Sequence, residues 1–368
     1  MRIPLILTVA GLWLLLPSPA YAWGPMAHVD FGLSILRDLS LLAPPMAALL
    51  KAFADDFLYG TIAADITIGK DLSPYRLHCH NWRVGFSVLD QAKDDDTRAF
   101  AWGYLAHLAA DTVAHNFFVP GKLVENFNKR TSAHAYWELR YDTRVSREAY
   151  LVVRRLGKRS HRRHDRHLKQ ILSGPLFSFP INRQLFRKWM VLSRVLSWQR
   201  LVQAHAKRSS RVLTQAEVDQ SRRLSIEHIL DLLRNGRKAH CLHSDPTGHR
   251  NLLIARDLRL RLRRLHQQGR LKNMEALAPS LRPLFLASLQ DKLELPSLDE
   301  FAEPEGGEDT ALEKPRGLLS GKNRAELQAK KNAQRVARVQ RKAGRKERRA
   351  QKRARRKTRK AARSKQGE

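Results

Sequence analysis

Residues 99–119 combine an apolar helical pattern with three ionisable side chains at steps of four residues. His107, Asp111 and His115 form the pattern H-x-x-x-D-x-x-x-H within a stretch that is otherwise mostly apolar. A step of four residues turns an α-helix by about 40°, so the three side chains would project within an arc of about 80°. A carboxylate between two imidazoles is costly to bury without a compensating partner. The segment therefore indicates a buried helix with one polar face, and makes that face a candidate metal site.

Further candidate ligands lie between residues 23 and 138. Imidazole nitrogens and carboxylate oxygens are donors that suit zinc. Each residue alone has a plainer explanation, as a core histidine, a helix cap or a surface pair. Their combination in one region is what favours a metal centre. They are His28, Asp65, His78, His80, His134 and Glu138.

The first 22 residues have the pattern of a secretory signal. Met1-Arg2 is followed by a run of apolar residues up to Leu16, and Ala20-Tyr21-Ala22 is a cleavage motif. The apolar run is shorter than the ~20 residues that a membrane-spanning helix needs, and no later stretch is longer. Cleavage after Ala22 would make Trp23 the first residue of an exported protein, either periplasmic or secreted.

Apolar residues recur at helical spacing through most of the chain, and strand patterns are scarce. The sequence therefore predicts an all-α protein. We expect a multi-helix domain at 23–150, a basic helical region of unknown role at 151–300 and a linker at 301–320. Within the second region, residues 214–217 read as a capping box, and 224–233 and 252–265 have helical apolar spacing.

The charge of the chain is strongly positive and unevenly spread. The chain has 68 Lys and Arg against 35 Asp and Glu, and residues 321–368 hold 21 of the former against three Glu. This tail has too few apolar residues to form a core and is predicted to be disordered, or helical only on an anionic surface. It would bind an anionic membrane surface or another polyanion, or be an extension with no single partner. Without interleaved aromatic residues, it gives no support for stacking on bases. No specific protein partner is evident.

Several other sequence features give weaker evidence about structure or function. Cys79 and Cys241 could form one disulfide in an exported protein. The segment 240–249 holds three histidines, Cys241 and an aspartate, and is a weaker candidate for a second metal cluster. Histidines 161, 164 and 167 stand among arginines, which predicts a solvated basic face. The sequence has no G-x-S-x-G motif and no Gly-rich phosphate loop.

Five motifs, in this order, resemble the zinc-dependent phospholipase C family over residues 23–142. They are WGPMAH after the cleavage motif, GTIAADI, LHCHNW, GYLAHLAADTVAH and HAYWE. The family belongs to a superfamily shared with fungal single-strand-specific nucleases. The resemblance therefore implies a phosphodiesterase that uses zinc.

The resemblance also implies three zinc ions and their ligands. The new N-terminal Trp23 would bind one ion through its amino group and carbonyl oxygen, together with His28. Asp111 would bridge that ion to another, and Asp65 would both bind zinc and position the attacking water. Of the two neighbouring histidines, His78 is favoured as the ligand, with His80 as the alternative. By site, the implied ligands are Trp23, His28 and Asp111; then Asp65, His78, His107 and Asp111; then His115, His134 and Glu138.

We therefore expect an exported zinc-dependent phosphodiesterase, specifically a phospholipase C that hydrolyses phospholipid head groups. Glu138 favours lipid over nucleic acid, because the related nucleases more usually have aspartate at that position. Two alternatives remain open. One is a single-strand nuclease that uses the same metals, since a basic protein also attracts nucleic acid. The other is a non-enzymatic basic protein that binds membranes or polyanions on a metal-stabilised scaffold.

Overall fold

The computed structural model describes residues 23–66, 79–128, 134–172, 212–271 and 274–290. These residues form helices and contain no strand, so the predicted all-α class is confirmed for them. None of the described helices is both long and apolar enough to cross a membrane. By packing, the chain divides into two units, residues 1–304 and 305–368, and every described residue belongs to the first.

The first five α-helices are α1 (Pro25–Arg37), α2 (Pro44–Ala52), α3 (Ala54–Ala63), α4 (Trp82–Asp90) and α5 (Asp95–Val113), and α5 carries His107 and Asp111. A π-helical turn (Ala114–Phe118) joins α5 to α6 (Val119–Glu125). The later helices are α7 (His134–Asp142), α8 (Arg147–Lys158), α9 (Arg162–Ile171), α10 (Gln215–Asn235), α11 (His249–Gln267) and α12 (Met274–Ala287). Short 3-10 turns cover Leu39–Leu41, Ala64–Ile66, Gly236–Lys238, His240–His243 and Ser288–Gln290.

Helix α5 is the centre of the described structure. It begins after Asp94, with Asp95 and Asp96 in its first turn, where negative charge interacts favourably with the helix dipole. Helices α3, α4 and α10 pack around it, so that most of its residues are buried. A helix that is buried on all sides, as α5 is, is usually apolar all round. The polar residues that α5 does bury therefore need partners inside the protein.

Helices α3 and α5 cross where Gly60 faces Gly103. A Cβ atom on Gly103 would lie 2.0 Å from the carbonyl oxygen of Phe57, so the backbones can approach this closely only because neither residue has a side chain. Asp65 follows shortly after Gly60, and His107 lies one turn after Gly103. The crossing thus brings the end of α3 against the turn of α5 that carries His107.

The part of the chain after residue 212 packs against the same centre. The capping box at Thr214 and Glu217 is present and opens α10, which lies along α5. Helix α11 covers the predicted helical segment 252–265, and both α11 and α12 pack on α6 and the π-helical turn. The division of residues 23–300 into two regions with separate roles stays a prediction.

The prediction of a solvated face for the histidines near residue 160 was wrong for two of them. His161 stacks on Tyr59 with ring centroids 3.6 Å apart, and His164 stacks on Phe100 at 4.6 Å. The Nε2 atom of His164 also lies 2.8 Å from Asp56 Oδ1. A spacing of three residues directs both rings towards α3 and α5, while the neighbouring arginines face solvent. These histidines dock α9 onto the core.

The two cysteines are buried and are not joined by a disulfide. Cys79 lies beside the metal-site candidates, with its Sγ 3.2 Å from Nδ1 of His80. Burial raises the pKa of the Cys241 thiol well above its usual range. Both thiols therefore act as small core side chains in this structure.

Candidate metal centre

Four buried side chains from three parts of the chain converge beside the middle of α5. His80 Nε2 lies 2.9 Å from His107 Nε2 and 3.3 Å from Oδ1 of Asp65. Asp111 Oδ2 lies 3.3 Å from His80 Nε2 and 3.2 Å from His107 Nε2. The remaining measured separation, from His107 Nε2 to Asp65 Oδ1, is 4.0 Å. We call these four residues the primary cluster.

The spacing of the primary cluster fits a tetrahedral zinc site. Zinc binds nitrogen and oxygen ligands at ~2.0–2.2 Å, which places neighbouring tetrahedral ligand atoms ~3.3 Å apart. Four of the five separations lie between 2.9 and 3.3 Å. His107 is also oriented for ligation, because its Nδ1 donates to the carbonyl oxygen of Thr61 over 2.9 Å. In a neutral ring this leaves the Nε2 lone pair directed into the cluster, as in most metal-binding histidines.

Asp111 also contacts a residue outside the primary cluster. Its second oxygen, Oδ1, lies 3.2 Å from Nε2 of His28, whose ring stacks on that of His107 with centroids 3.8 Å apart. Burial, and secondarily the neighbouring His107, lowers the pKa of His28 to about 4 despite the attraction of Asp111. His28 is therefore neutral at pH 7 and has a lone pair to offer. One carboxylate oxygen thus faces the primary cluster and the other faces His28, which is the geometry of a bridging ligand.

The polar atoms of His28 and Asp111 are not otherwise satisfied. Although the two side chains lie at ion-pair distance, neither ring nitrogen of His28 and neither oxygen of Asp111 makes a hydrogen bond within the described residues. Burial by itself would raise the pKa of Asp111, but attraction to His107 and contacts with His28 and His80 outweigh it and hold that pKa well below its usual range. Buried charge without hydrogen bonds is costly, and a bound cation would compensate it.

Trp23 lies against the same part of α5. Its buried indole Nε1 donates to the carbonyl oxygen of Ala110 over 3.0 Å, one residue before Asp111. The ring packs on Phe118 and Tyr141. The start of the predicted mature chain is therefore fixed beside Asp111 by its side chain. Zinc binding through the amino group of Trp23 stays a prediction.

The remaining predicted ligands are less completely described. His115 and Glu138 are both buried. His134 begins α7, but its side chain lies outside the described part of the structure, and so does the whole of His78. The structure brings the alternative histidine, His80, into the primary cluster. The site formed by His115, His134 and Glu138 stays a prediction.

The sequence predicted a continuous α-helix through residue 119, and this was wrong at its end. Residues 114–118 form a π-helical turn, which carries His115. Pro120 could have indicated this break in the α-helix, because proline lacks the backbone N–H that would continue the α-helical hydrogen bonds. Such wide turns occur frequently at functional sites.

The weaker candidate cluster at 240–249 does not form a metal site in the structure. Among the described residues, the groups with metal-binding geometry are His28 with His107 and Asp111, and Asp65 with His80 and His107. Asp245 instead organises a tight turn, in which its carboxylate accepts hydrogen bonds from the backbone N–H and the hydroxyl of Thr247.

Residues 27–180 match the family model of zinc-dependent phospholipase C. This segment is therefore similar to that family. The matched segment contains all the predicted ligands except Trp23, so the resemblance drawn from the motifs is confirmed. The match supports a phospholipase C-type hydrolase, and the buried histidine and aspartate groups fit the zinc dependence of the family. No curated protein and no solved structure gave a significant match.

Proposed function

We propose that this chain is an exported phospholipase C that hydrolyses the head-group phosphodiester of phospholipids at a site with three zinc ions. The observation that carries the proposal is the primary cluster, which lies within the segment that matches the family. Phospholipid is the substrate class that the family implies. Export, the number of ions and lipid specificity are our own extension.

Bound zinc would polarise the phosphoryl oxygens and lower the pKa of a water molecule towards ~7. The protein's own residues prepare the site for this. His107 is held in the correct tautomer by the Thr61 carbonyl, and Nε2 of His28 faces Oδ1 of Asp111. Asp111 supplies negative charge between the two groups. Asp65, at the edge of the primary cluster, is our candidate for orienting the attacking water and accepting its proton.

Export would complete the site by exposing the amino group of Trp23. Signal cleavage after Ala22 leaves a free amine on a residue whose side chain is already fixed beside Asp111. The backbone N–H of Ala27 donates to Oδ1 of Asp142 over 3.0 Å, which anchors the first turn of α1 near that amine. The same short segment would thus provide two donors, the Trp23 amine and the His28 imidazole.

One face of α11 favours lipid over nucleic acid. Leu253 and Leu260 are seven residues apart on this face and are 49% and 62% exposed. Arg256 and Arg264 lie within about a quarter turn of them and are also exposed. Arginines alone would serve either polyanion, but exposed leucines beside them suit the interface of an anionic membrane. We propose that this face contacts lipid and that the basic tail, residues 321–368, adds a second, less specific electrostatic contact.

The double substitution Leu253→Ser and Leu260→Ser is expected to weaken binding to phosphatidylserine-containing vesicles about tenfold or more, because it removes the two exposed leucines that would be buried in the membrane interface. Hydrolysis of a soluble short-chain phospholipid should not change. Vesicle co-sedimentation measures the first effect, and a rate assay the second. Leu41→Ser is the matched control, since Leu41 is 43% exposed but lies in a different turn. Equal binding by the double variant and the control would contradict the role of this face.

Deleting the tail from Asn323 should instead remove mainly the salt-sensitive part of vesicle binding.

The function itself is tested by assaying zinc-loaded protein that begins at Trp23. We expect it to release phosphorylated head groups from phosphatidylcholine and to leave single-stranded DNA intact. Cleavage of DNA alone would replace the proposal with the nuclease alternative. Full zinc content without cleavage of either substrate would favour the non-enzymatic alternative.

A further inference from the structure

A loop outside the family match holds the turn that carries His115. The loop consists of residues 245–248 and lies between the 3-10 turn His240–His243 and helix α11. The Nδ1 atom of His115 donates to the carbonyl oxygen of Pro246 over 2.5 Å. The family match ends at residue 180, so this contact comes from a region to which the match assigns no role.

The Pro246 contact determines which nitrogen of His115 can bind a metal. A carbonyl oxygen can only accept, so Nδ1 must carry the proton. In the neutral imidazole, Nε2 then keeps its lone pair. Metal-binding histidines generally use this arrangement, with one nitrogen on the ion and the other donating to a carbonyl or carboxylate. Thr61 does the same for His107 in the primary cluster.

The loop is built to hold this carbonyl in place. The carboxylate of Asp245 accepts from the backbone N–H of Thr247 over 3.0 Å and from its hydroxyl over 2.5 Å. The carbonyl oxygen of Asp245 accepts from the N–H of Gly248 over 2.9 Å and from the side-chain amide of Asn116 over 2.8 Å. The loop therefore binds the residue next to His115 as well as His115 itself.

Gly248 fits directly against His115. It has a φ of +54°, a left-handed conformation that favours glycine. A Cβ atom there would lie 2.4 Å from the Cβ and 2.4 Å from the carbonyl oxygen of His115. Any larger residue must push the loop and the π-helical turn apart.

Two further side chains, one in α11 and one after α12, contact Asn116 in the same π-helical turn. The side-chain amide of Asn251 donates to Oδ1 of Asn116 over 3.0 Å. The hydroxyl of Ser288 lies 3.1 Å from the carbonyl oxygen of Asn116. These groups are buried. The π-helical turn is thus enclosed by residues that are more than a hundred positions away in sequence.

We propose that Pro246 and Gly248 are positioning residues for His115, and that the loop 245–248 completes a zinc site whose ligands all lie in the family segment. Pro246 sets the tautomer of His115, and Gly248 allows the loop to approach closely enough to do so. This inference rests on the proposed function, because it takes His115 as a zinc ligand.

The test compares Gly248→Ala with Gly269→Ala in protein that begins at Trp23. Both positions have positive φ, but a Cβ on Gly269 would meet nothing within 4 Å. The two variants share the backbone strain, and only Gly248→Ala displaces His115. We expect Gly248→Ala to bind one zinc ion 10–100-fold more weakly, the usual effect of losing such an orienting contact, while Gly269→Ala binds zinc as the wild type does. Competition with a chelator measures the affinities, and circular dichroism checks the helical content.

A second pair of variants keeps the test valid if Gly248→Ala does not fold. Asp245→Ala opens the loop and should weaken the same zinc ion. Asp245→Asn still accepts from the Thr247 N–H and should restore most of the affinity. If the folded loop variants bind every zinc ion as tightly as Gly269→Ala, the positioning role is wrong.

His115→Ala separates this inference from the proposed function. It should lose one zinc ion completely. If it keeps the wild-type zinc content, His115 is not a ligand and the proposed site itself is wrong. If it loses the ion while the loop variants keep theirs at full affinity, only the role of the loop fails.

Discussion

Asp111→Asn is expected to lower zinc content and hydrolysis together. The Asp111 side chain is fully buried, and its two oxygens face His28 on one side and His80 and His107 on the other. An amide has almost the same shape but is a poorer ligand and lacks the negative charge needed between two cations. Because catalytic zinc supplies several kcal/mol of stabilisation, we expect a loss of about 10³-fold in kcat/KM, with at least one zinc ion missing by elemental analysis.

Asp165→Asn is a suitable control for Asp111→Asn. Asp165 is also a buried aspartate, but it accepts a hydrogen bond from the hydroxyl of Tyr59 and lies outside the primary cluster. This substitution should lower the free energy of unfolding and leave the zinc content unchanged. Full zinc and a full rate in Asp111→Asn would mean that α5 does not carry the metal site.

Adding one residue before Trp23 is expected to remove one zinc ion and most of the activity. The extension turns the α-amino group into an amide, whose nitrogen lone pair is delocalised and a poor donor. The indole can still donate to Ala110, so the helical content should not change. His28→Ala should lose the same ion, because His28 faces Oδ1 of Asp111 and the family resemblance assigns Trp23, His28 and Asp111 to one ion. Metal analysis and circular dichroism of protein with Met before Trp23 measure both effects.

Trp23→Phe distinguishes the role of the amino group from that of the side chain. The variant keeps the free amine but loses the hydrogen bond to Ala110. It should therefore retain the zinc ion, while its free energy of unfolding is lower than that of the wild type. If the extended protein keeps its zinc and its rate, Trp23 is only an anchor in the core.

The parts of the site that could be predicted from the sequence are those set by local geometry. The spacing of His107 and Asp111 on one helix determines their common face, and the structure keeps both in the primary cluster. The capping box at Thr214 likewise marked a helix start correctly. These signals depend on neighbours within one or two turns.

The choice between His78 and His80 could not be made in this way. Both stand in one short segment with no helical spacing to fix their direction. In the structure, the hydroxyl of Tyr104 donates to the carbonyl oxygen of Cys79 over 2.5 Å, and this contact helps to hold the next residue, His80, against α5. The partner comes from 25 residues away, so no local pattern records it.

The prediction of a solvated face for His161 and His164 was wrong because their contacts are also with residues distant in sequence. Arginines on either side dominated the composition, but the three-residue spacing of the histidines directed their rings inward. The contact between Pro246 and His115 spans 131 residues and involves a backbone carbonyl, for which sequence carries no side-chain signal. Only the tertiary packing of α11 against the π-helical turn reveals it.

The zinc content of the protein that begins at Trp23 tests the central claim most directly. Native mass spectrometry of zinc-loaded protein after removal of loosely bound metal gives the number of ions per chain. The account predicts three, with one fewer in His28→Ala and one fewer in His115→Ala. A chain that folds normally and holds no zinc, or a single ion that survives both substitutions, would contradict it.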